Sequence, residues 1–420
     1  MTEALSPGRV RLALLSLALG GFAIGSTEFV AMGLLPNIAH DLFPSLYAAD
    51  SALANAQTAG LISAYALGVV VGAPTIAAVA ARWPRKRLLL VLLAVFTIGT
   101  LAAVVAPNFP LLLAARFLAA LPHGAYFGIA SLVAAELMGP AQRGRGIALV
   151  LGGLTVANVV GVPAITWIGQ AAGWRVAYLV VALLFASTFA AVLSFLPWRA
   201  GDPSATVASQ LRVFRRGQVW LALLMGSIGF GGFFAIYSYI APIVTDITGL
   251  SATTVPIALV CFGLGMTLGN FVAGALVDRS VRRSVYLFYA VLLAAILLLG
   301  LSAHTVVGLF AGVVLTGAGA AAIGVAIQTR LLDVAHEGQS LAAALNHSAL
   351  NTGNALGAAL GGLAIALGYG YLAPVWIAGI LSLLGVGVAF WTFSIDRVQR
   401  KRGVQHEYVT GSFRTARNQG

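Results

Sequence analysis

The chain has 420 residues, of which 60% are hydrophobic and only 9% are charged, against roughly a quarter charged in ordinary globular proteins. With a mean hydropathy of +0.96, it lacks the polar side chains needed to cover the surface of a water-soluble fold of this size. That composition excludes a soluble enzyme or binding module and implies an integral membrane protein. The net charge of +12, from 24 Lys+Arg against 12 Asp+Glu, would suggest nucleic acid on a soluble domain. Here its placement argues for topology instead, and no nucleic-acid partner is expected.

In chain order, Arg9 and Arg11 precede an apolar run that continues past Leu34 without a small-residue cleavage site, so a retained first helix is expected rather than a removed leader. Apolar runs fall near 11–35, 53–80, 88–106, 110–135, 145–168, 175–196, 218–242, 253–277, 285–302, 306–330, 339–366 and 372–394. Each is about long enough for a helix to cross the hydrocarbon core, so twelve spans are predicted, with both termini on one side. The basic residues concentrate in the loops after even-numbered spans and at the two ends. Of the 24 Lys+Arg, all but Arg116 and Arg175 fall on that one face. The positive-inside rule makes it cytoplasmic, giving a multi-pass protein of the cytoplasmic membrane, with lipid as its surroundings.

The longest polar gap, 197–217, divides the chain into an N-terminal bundle over 1–196 and a C-terminal bundle over 218–395, followed by a tail over 396–420 that is expected to be mobile and cytoplasmic. The bundles read as duplicates. The stretch from Gly72 to Lys86 aligns without gaps to that from Gly269 to Arg283 at an offset of 197, and Asn158-Val-Val-Gly161 matches Asn354-Ala-Leu-Gly357 at an offset of 196. Internal repeats are a signature of secondary transporters, whose substrate site lies between them.

Spans three, six, nine and twelve contain no charged, amide or imidazole side chain and can face lipid at little cost. The polar groups lie elsewhere: Glu28 in span one, Gln57 in two, Arg116 and His123 in four, Asn158 in five, Asn270 in eight, Gln328 in ten, and Asn346, His347, Asn351 and Asn354 in eleven. An ionisable group within a span costs at least a few kcal/mol and is rarely retained without a task. Glu28 and Arg116 are therefore the leading candidates for proton coupling; the alternative is a pair that only locks two helices together. His123 shares a helix face with Arg116 and could relay a proton or serve as a neutral interhelical hydrogen-bond partner.

Phe230, Phe233, Phe234 and Tyr237 form one aromatic face of span seven, which could line a substrate cavity or turn to a neighbouring helix or lipid. His347, Asn351 and Asn354 share a face of span eleven. With Asn158 and Gln328 they are candidate substrate contacts, or alternatively interhelical hydrogen bonds. The one cysteine, Cys261, reads as a small buried hydrophobe, and neither a metal site nor a cofactor is expected. No Gly-x-x-x-x-Gly-Lys-Ser/Thr, His-Glu-x-x-His or Gly-x-Ser-x-Gly motif is present, so an ATP-driven pump or an enzyme has no visible machinery. A lipid flippase or an intramembrane enzyme is the alternative from another class.

Three stretches carry a resemblance: Gly25 to Pro36 around Glu28; Arg116-Phe-Leu-Ala-Ala-Leu-Pro122-His123-Gly124; and Gly153 to Pro163 followed by Gly173-Trp174-Arg175. With the Gly-to-Arg loop motif after spans two and eight, they resemble the major facilitator superfamily, and within it the twelve-helix drug:proton antiporters near the arabinose-efflux-like permeases and chloramphenicol exporters. The resemblance implies an all-α fold of two six-helix bundles with spans one, four, seven and ten around a central cavity. It implies a monomeric antiporter exporting small molecules such as drugs or sugars in exchange for protons; a proton symporter for sugars or other small solutes is the alternative. It also implies a role for Arg116 in proton coupling and a cytoplasmic gate at Arg82, Arg85, Asp278, Arg279 and Arg282. The sequence departs from the family pattern at Ala81, where Asp is usual, and at Ala157-Asn158, where span five usually has Gly-Pro.

Overall fold

A computed structural model describes residues 6–80, 83–139, 142–198, 212–335 and 339–417. Among them every regular element is a helix, as a chain in hydrocarbon requires, because a backbone with no water at hand must satisfy its own N–H and C=O groups. Span one is Pro7–Gly33, two is Ser51–Thr58 with Gly60–Ala80, three is Arg85–Val105, and four is Phe109–Ala120 with His123–Met138, broken at Pro122. Span five runs from Arg143–Val156 through a π-helical turn, Ala157–Gly161, into Val162–Ala172, and span six is Trp174–Phe195. In the second half, spans seven to twelve are Gly217–Tyr237, Val255–Val277, Val281–Ser302, Val306–Ala335, Gln339–Ala366 and Ala373–Arg417.

Eleven of these are apolar enough along their length to cross a membrane unaided. The exception is span eleven, whose Asn346, His347, Asn351 and Asn354 dilute its apolar content. The departure from the family pattern in span five has a structural counterpart: the helix widens by one π turn at Ala157–Gly161, and Pro163 sits at the start of the next α segment, where its missing N–H is tolerated. The last helix extends to Arg417, so the backbone of the stretch expected to be a mobile tail is helical.

Spans one, four, seven and ten are the most buried of the eleven apolar helices, while spans five and eight, at 39% and 44% despite Asn158 and Asn270, are as exposed as the helices expected to face lipid. In spans one, four and ten 61% of the apolar window is buried and in span seven 67%, against 44%, 39%, 50% and 39% in spans three, six, nine and twelve. The outer helices display Ile98, Val105, Leu183, Leu301, Leu383 and Phe390, a surface that water would not tolerate and hydrocarbon accommodates.

The internal repeat is visible atom by atom. A Cβ on Gly68 would fall 2.4 Å from the Phe117 carbonyl oxygen and one on Gly72 2.0 Å from that of Leu121. In the second half a Cβ on Gly265 would fall 2.1 Å from the Val314 oxygen and one on Gly269 2.1 Å from that of Ala318. All four residues of each contact are displaced by the same 197 positions as in the sequence alignment. Spans two and four therefore meet backbone to backbone, as do eight and ten, the close approach that small residues permit in membranes.

At the ends, short polar ties hold the bundles. On the face carrying the basic loops, Arg85 pairs with Glu136, Lys86 donates to the Leu193 carbonyl at 2.7 Å, and Arg330 bridges Asp396 at 2.6 Å and Gln218 at 3.1 Å. On the opposite face Asp41 accepts from Arg175 at 2.5 Å and from the Trp174 indole at 3.0 Å, while the Arg175 guanidinium stacks 4.2 Å from the Trp174 ring. Partial burial would raise the Asp41 carboxyl, but the Arg175 and Trp174 hydrogen bonds and the Arg175 charge outweigh it and hold the carboxyl below its ordinary value of 3.8.

Two outcomes follow. Gly72→Val and Gly269→Val should each destabilise the protein by ~1–3 kcal/mol or more, and to a similar degree because the contact is duplicated, as read by thermal melts in detergent. Asp41→Asn should lower the melting temperature at neutral pH. Because the folded carboxyl titrates below its ordinary value, that deficit should persist down to about pH 4 and shrink only as the pH falls through the depressed value.

Candidate functional site

A cavity of about 640 Å³ lies between the two halves, on the side of the molecule nearer the basic loops. That volume suits a drug-sized molecule. Its wall is apolar over most of its area, with Phe29, Phe230, Phe233, Phe234, Met266 and Phe271 contributing, and its polar points are Glu28, Thr155, Asn158, Thr267, Asn270, Gln328, Asn346, His347 and Asn351.

The aromatic face of span seven turns inward. Phe230, Phe233 and Phe234 form a mutually packed cluster with ring centroids 5.1–5.5 Å apart. Tyr237 is not on the wall: it is buried behind it, 5.4 Å from Phe29, 5.2 Å from Phe233 and 4.9 Å from Phe262. These rings seal the cavity from the opposite face. Of the other candidate substrate contacts, Asn158, Gln328, His347 and Asn351 line the cavity, whereas Asn354 is buried outside it with both side-chain atoms lacking a protein partner among the described residues.

Glu28 and Arg116 are the two charged side chains buried among the described residues, at 5% and 1% exposure. They do not form an ion pair with each other, so the helix-locking pair considered from the sequence is absent. Glu28 borders the cavity, as does Asn351 of the other half, whose amide donates to the His347 carbonyl at 3.1 Å. Arg116 instead donates from Nη1 to the Thr27 carbonyl at 2.9 Å and to its hydroxyl at 3.2 Å, adjoining Glu28 in sequence. The guanidinium carbon lies 4.2 Å from the centroid of the Tyr65 ring and 5.5 Å from that of Tyr178. Two aromatic faces and one carbonyl thus stand in for water around this cation.

His123 lies behind the wall too, fully buried, its Nδ1 3.2 Å from the Tyr65 hydroxyl. Its ring is 5.4 Å from that of His347, which stacks on Phe127 at 4.8 Å with nearly parallel planes. His347, at the cavity, thus packs on His123, which meets the Tyr65 hydroxyl, and the Tyr65 ring lies against Arg116. Tyr65 was absent from the sequence candidates because a tyrosine in an apolar run carries no periodic signal. Its one clue was its position on the span-two face that meets span four. Phe29, Met266 and Phe271 were likewise hidden, as ordinary apolar residues of their spans.

Of the candidate gate residues, Arg82 lies outside the described residues. Arg85 is tied to Glu136 of span four. Asp278 and Arg279 are exposed and Arg282 is half-buried, and none of the three forms an ion pair among the described residues.

A family model, Major Facilitator Superfamily, matches residues 17–251 and again 223–418. The chain belongs to the major facilitator superfamily. Membership of the superfamily accounts for the duplicated bundles and identifies the protein as a multi-pass transporter of small molecules rather than an enzyme. Among its relatives, the inner membrane transport protein YdhP of Escherichia coli (strain K12) is 38% identical over 380 residues, covering 90% of this chain and 95% of the relative. A chloramphenicol resistance protein of Streptomyces lividans is 34% identical over 378 residues, 89% of this chain and 94% of the relative. In fold, the chain is similar to the crystal structure of a bacterial homologue of the human lysosomal transporter Spinster in an inward-facing, unoccupied conformation. The TM-score is 0.71 at 15% identity, covering 92% of this chain and 98% of that one.

The Tyr65 contacts separate by substitution. Tyr65→Phe keeps the ring under Arg116 and loses only the His123 hydrogen bond, a change of about 1 kcal/mol. Tyr65→Ala also removes the cation–π contact and leaves a void, and should cost ~3–5 kcal/mol; chemical or thermal denaturation in detergent resolves the two.

Proposed function

We propose that this transporter is a proton-coupled exporter: small molecules leave the cell as protons enter, by alternating exposure of the central cavity to the two sides of the membrane. The observation that carries this reading is Glu28, a buried carboxyl on the wall of the cavity with no ion-pair partner among the described residues. In an apolar site the charged form of such a group is expensive and the protonated form is not. A proton and a substrate that both need this position compete for it, and competition for one position is what couples their flows in opposite directions. Arg116, pinned to the residue before Glu28, biases that competition through its charge, while Asn351 offers the carboxyl a neutral partner from the other half.

On this reading Phe230, Phe233 and Phe234 hold the apolar body of a substrate, and Asn158, Gln328, His347 and Asn351 meet its polar atoms. His123 exchanges protons with the cavity through His347. The face carrying the basic loops is cytoplasmic, together with both termini, the central loop at 197–217 and the gate that Arg85 and Glu136 help to close. The relative named for chloramphenicol resistance supports the outward direction of transport. The division into bundles at 1–196 and 218–395 and action as a monomer complete the proposal.

In everted vesicles with an acid interior and a pH-sensitive dye, amphenicols, pentoses and cationic dyes are added singly to the wild type and to Glu28→Gln. Proton efflux triggered by one of these compounds in the wild type and absent in the variant, with equal amounts of folded protein in the membrane, is the expected result. Undiminished proton efflux from Glu28→Gln would reject the role of Glu28.

A further inference from the structure

A second cavity, of about 560 Å³, opens on the face opposite the basic loops, a volume within the range of small-molecule sites. Its wall is drawn from both halves, with His40, Tyr47, Asn55 and Gln170 on one side and Thr245 and Asp246 on the other. Gly33, also on the wall, stands four residues, about one helical turn, beyond Phe29 of the aromatic cluster that closes the central cavity. The two cavities therefore lie on either side of that cluster, and no residue lines both.

The chemistry of the second wall is unlike that of the first. In place of phenylalanines it carries amides, hydroxyls and a carboxylate, and among the described residues that line it none is a lysine or an arginine. Two of its acceptors are left over. Gln170 Nε2 donates to the Ala252 carbonyl at 3.0 Å, which fixes the orientation of the amide and leaves Oε1 as a buried acceptor with no partner among the described residues. Asn55, 2% exposed, donates from Nδ2 to the Tyr371 hydroxyl at 2.7 Å, and its Oδ1 is likewise buried without a partner. Thr245 donates to the Asp246 carboxylate at 2.7 Å, but that carboxylate is exposed and forms no ion pair among the described residues. Its charge is felt nearby: burial and Asp246 together raise the Tyr47 and Tyr371 hydroxyls, that of Tyr371 to about 12.

A buried acceptor without a donor is costly until something supplies one. A ligand that satisfies this wall brings N–H groups and a positive charge. An anion would meet the Asp246 carboxylate with no cationic side chain to offset it, and a neutral polyol would leave that carboxylate unpaired. Tyr47, edge-on to His40 at a centroid distance of 5.3 Å, adds an aromatic ring of the kind that attracts cations.

We propose that this outer cavity is a second binding site, separate from the central one, for small organic ammonium ions that reach the protein from the face opposite the basic loops. Asp246 holds the charge, and Gln170 Oε1 and Asn55 Oδ1 accept from the N–H groups. Because these side chains belong to different halves, the site is complete only while this face is closed.

Putrescine, a diammonium ion at neutral pH, is the probe, and 1,4-butanediol, the same chain with hydroxyls in place of the ammonium groups, is its uncharged match. Equilibrium dialysis of labelled putrescine against the full chain in lipid nanodiscs reads binding. The expected result is saturable binding that excess 1,4-butanediol does not displace. It should weaken about tenfold or more in Asp246→Asn, which removes the charge at an exposed position, and in Asn37→Lys, which sets a fixed cation in the same cavity. Glu28→Gln, in the central cavity, should leave it unchanged. The proposal is overturned by an absence of saturable binding at millimolar putrescine, by displacement with 1,4-butanediol, or by undiminished binding to either outer variant. A loss of binding in Glu28→Gln would place putrescine in the central cavity and overturn it as well. No transport is involved in the measurement, so its outcome is independent of proton coupling.

Discussion

A guanidinium far from bulk water fixes much of this structure. Arg116 cannot be neutralised by giving up its proton, so the protein must surround it, and it does so with the Thr27 carbonyl and hydroxyl and the rings of Tyr65 and Tyr178. These partners come from spans one, two and six, so one side chain of span four orders four helices of the N-terminal bundle. The same contacts hold the turn bearing Glu28 against the cavity. The guanidinium also keeps Nε and Nη2 without protein partners among the described residues, so its charge is incompletely compensated and still acts on its surroundings. The second half has no equivalent: Val313, the residue 197 positions on from Arg116, is apolar and buried. Duplication supplied the frame, and one copy alone carries the charge.

The frame was legible in the sequence because the physics of a bilayer leaves few choices. A run of some twenty apolar residues has to be a helix there, a basic loop has a preferred side, and Gly72 and Gly269 betray their common setting through the residues that follow them. The cost of burying charge picked out Glu28 and Arg116 without any structure. What the sequence could not give is partnership. Helical spacing put Arg116 and His123 on one face but did not say that Tyr65 lies opposite both, nor that Arg116 would take Thr27 rather than Glu28. The same limit applied to span seven: its aromatic face was evident, but not that Phe233 would reach the cavity wall while Tyr237 packs behind it against Phe29. The π turn at Ala157–Gly161 was hidden for another reason. It is a property of backbone hydrogen bonding that Ala-Asn-Val-Val-Gly does not advertise.

An aromatic cluster and an imidazole pair share the interface between the halves. Phe29, Phe233, Phe234, Tyr237 and Phe262 interlock across the halves and exclude water from the region between the cavity and the opposite face. His123 and His347 also meet across the halves, with ring centroids 5.4 Å apart.

Among the described residues the halves are tied around spans two and eleven by the Asn55–Tyr371 and Ser63–Ala355 hydrogen bonds and by the packing of His123 and Phe127 on His347, contacts about which one bundle would turn on the other. A body turning about spans two and eleven moves little near them and most at spans five and eight, which act as the far end of a lever. A small rotation absorbed by repacking around His347 would be amplified there. The π turn of span five, with its looser hydrogen bonding, sits at the point where the lever leaves its support. Span five thus carries a point of compliance, as span four does at Pro122 and span two at the junction of its two segments.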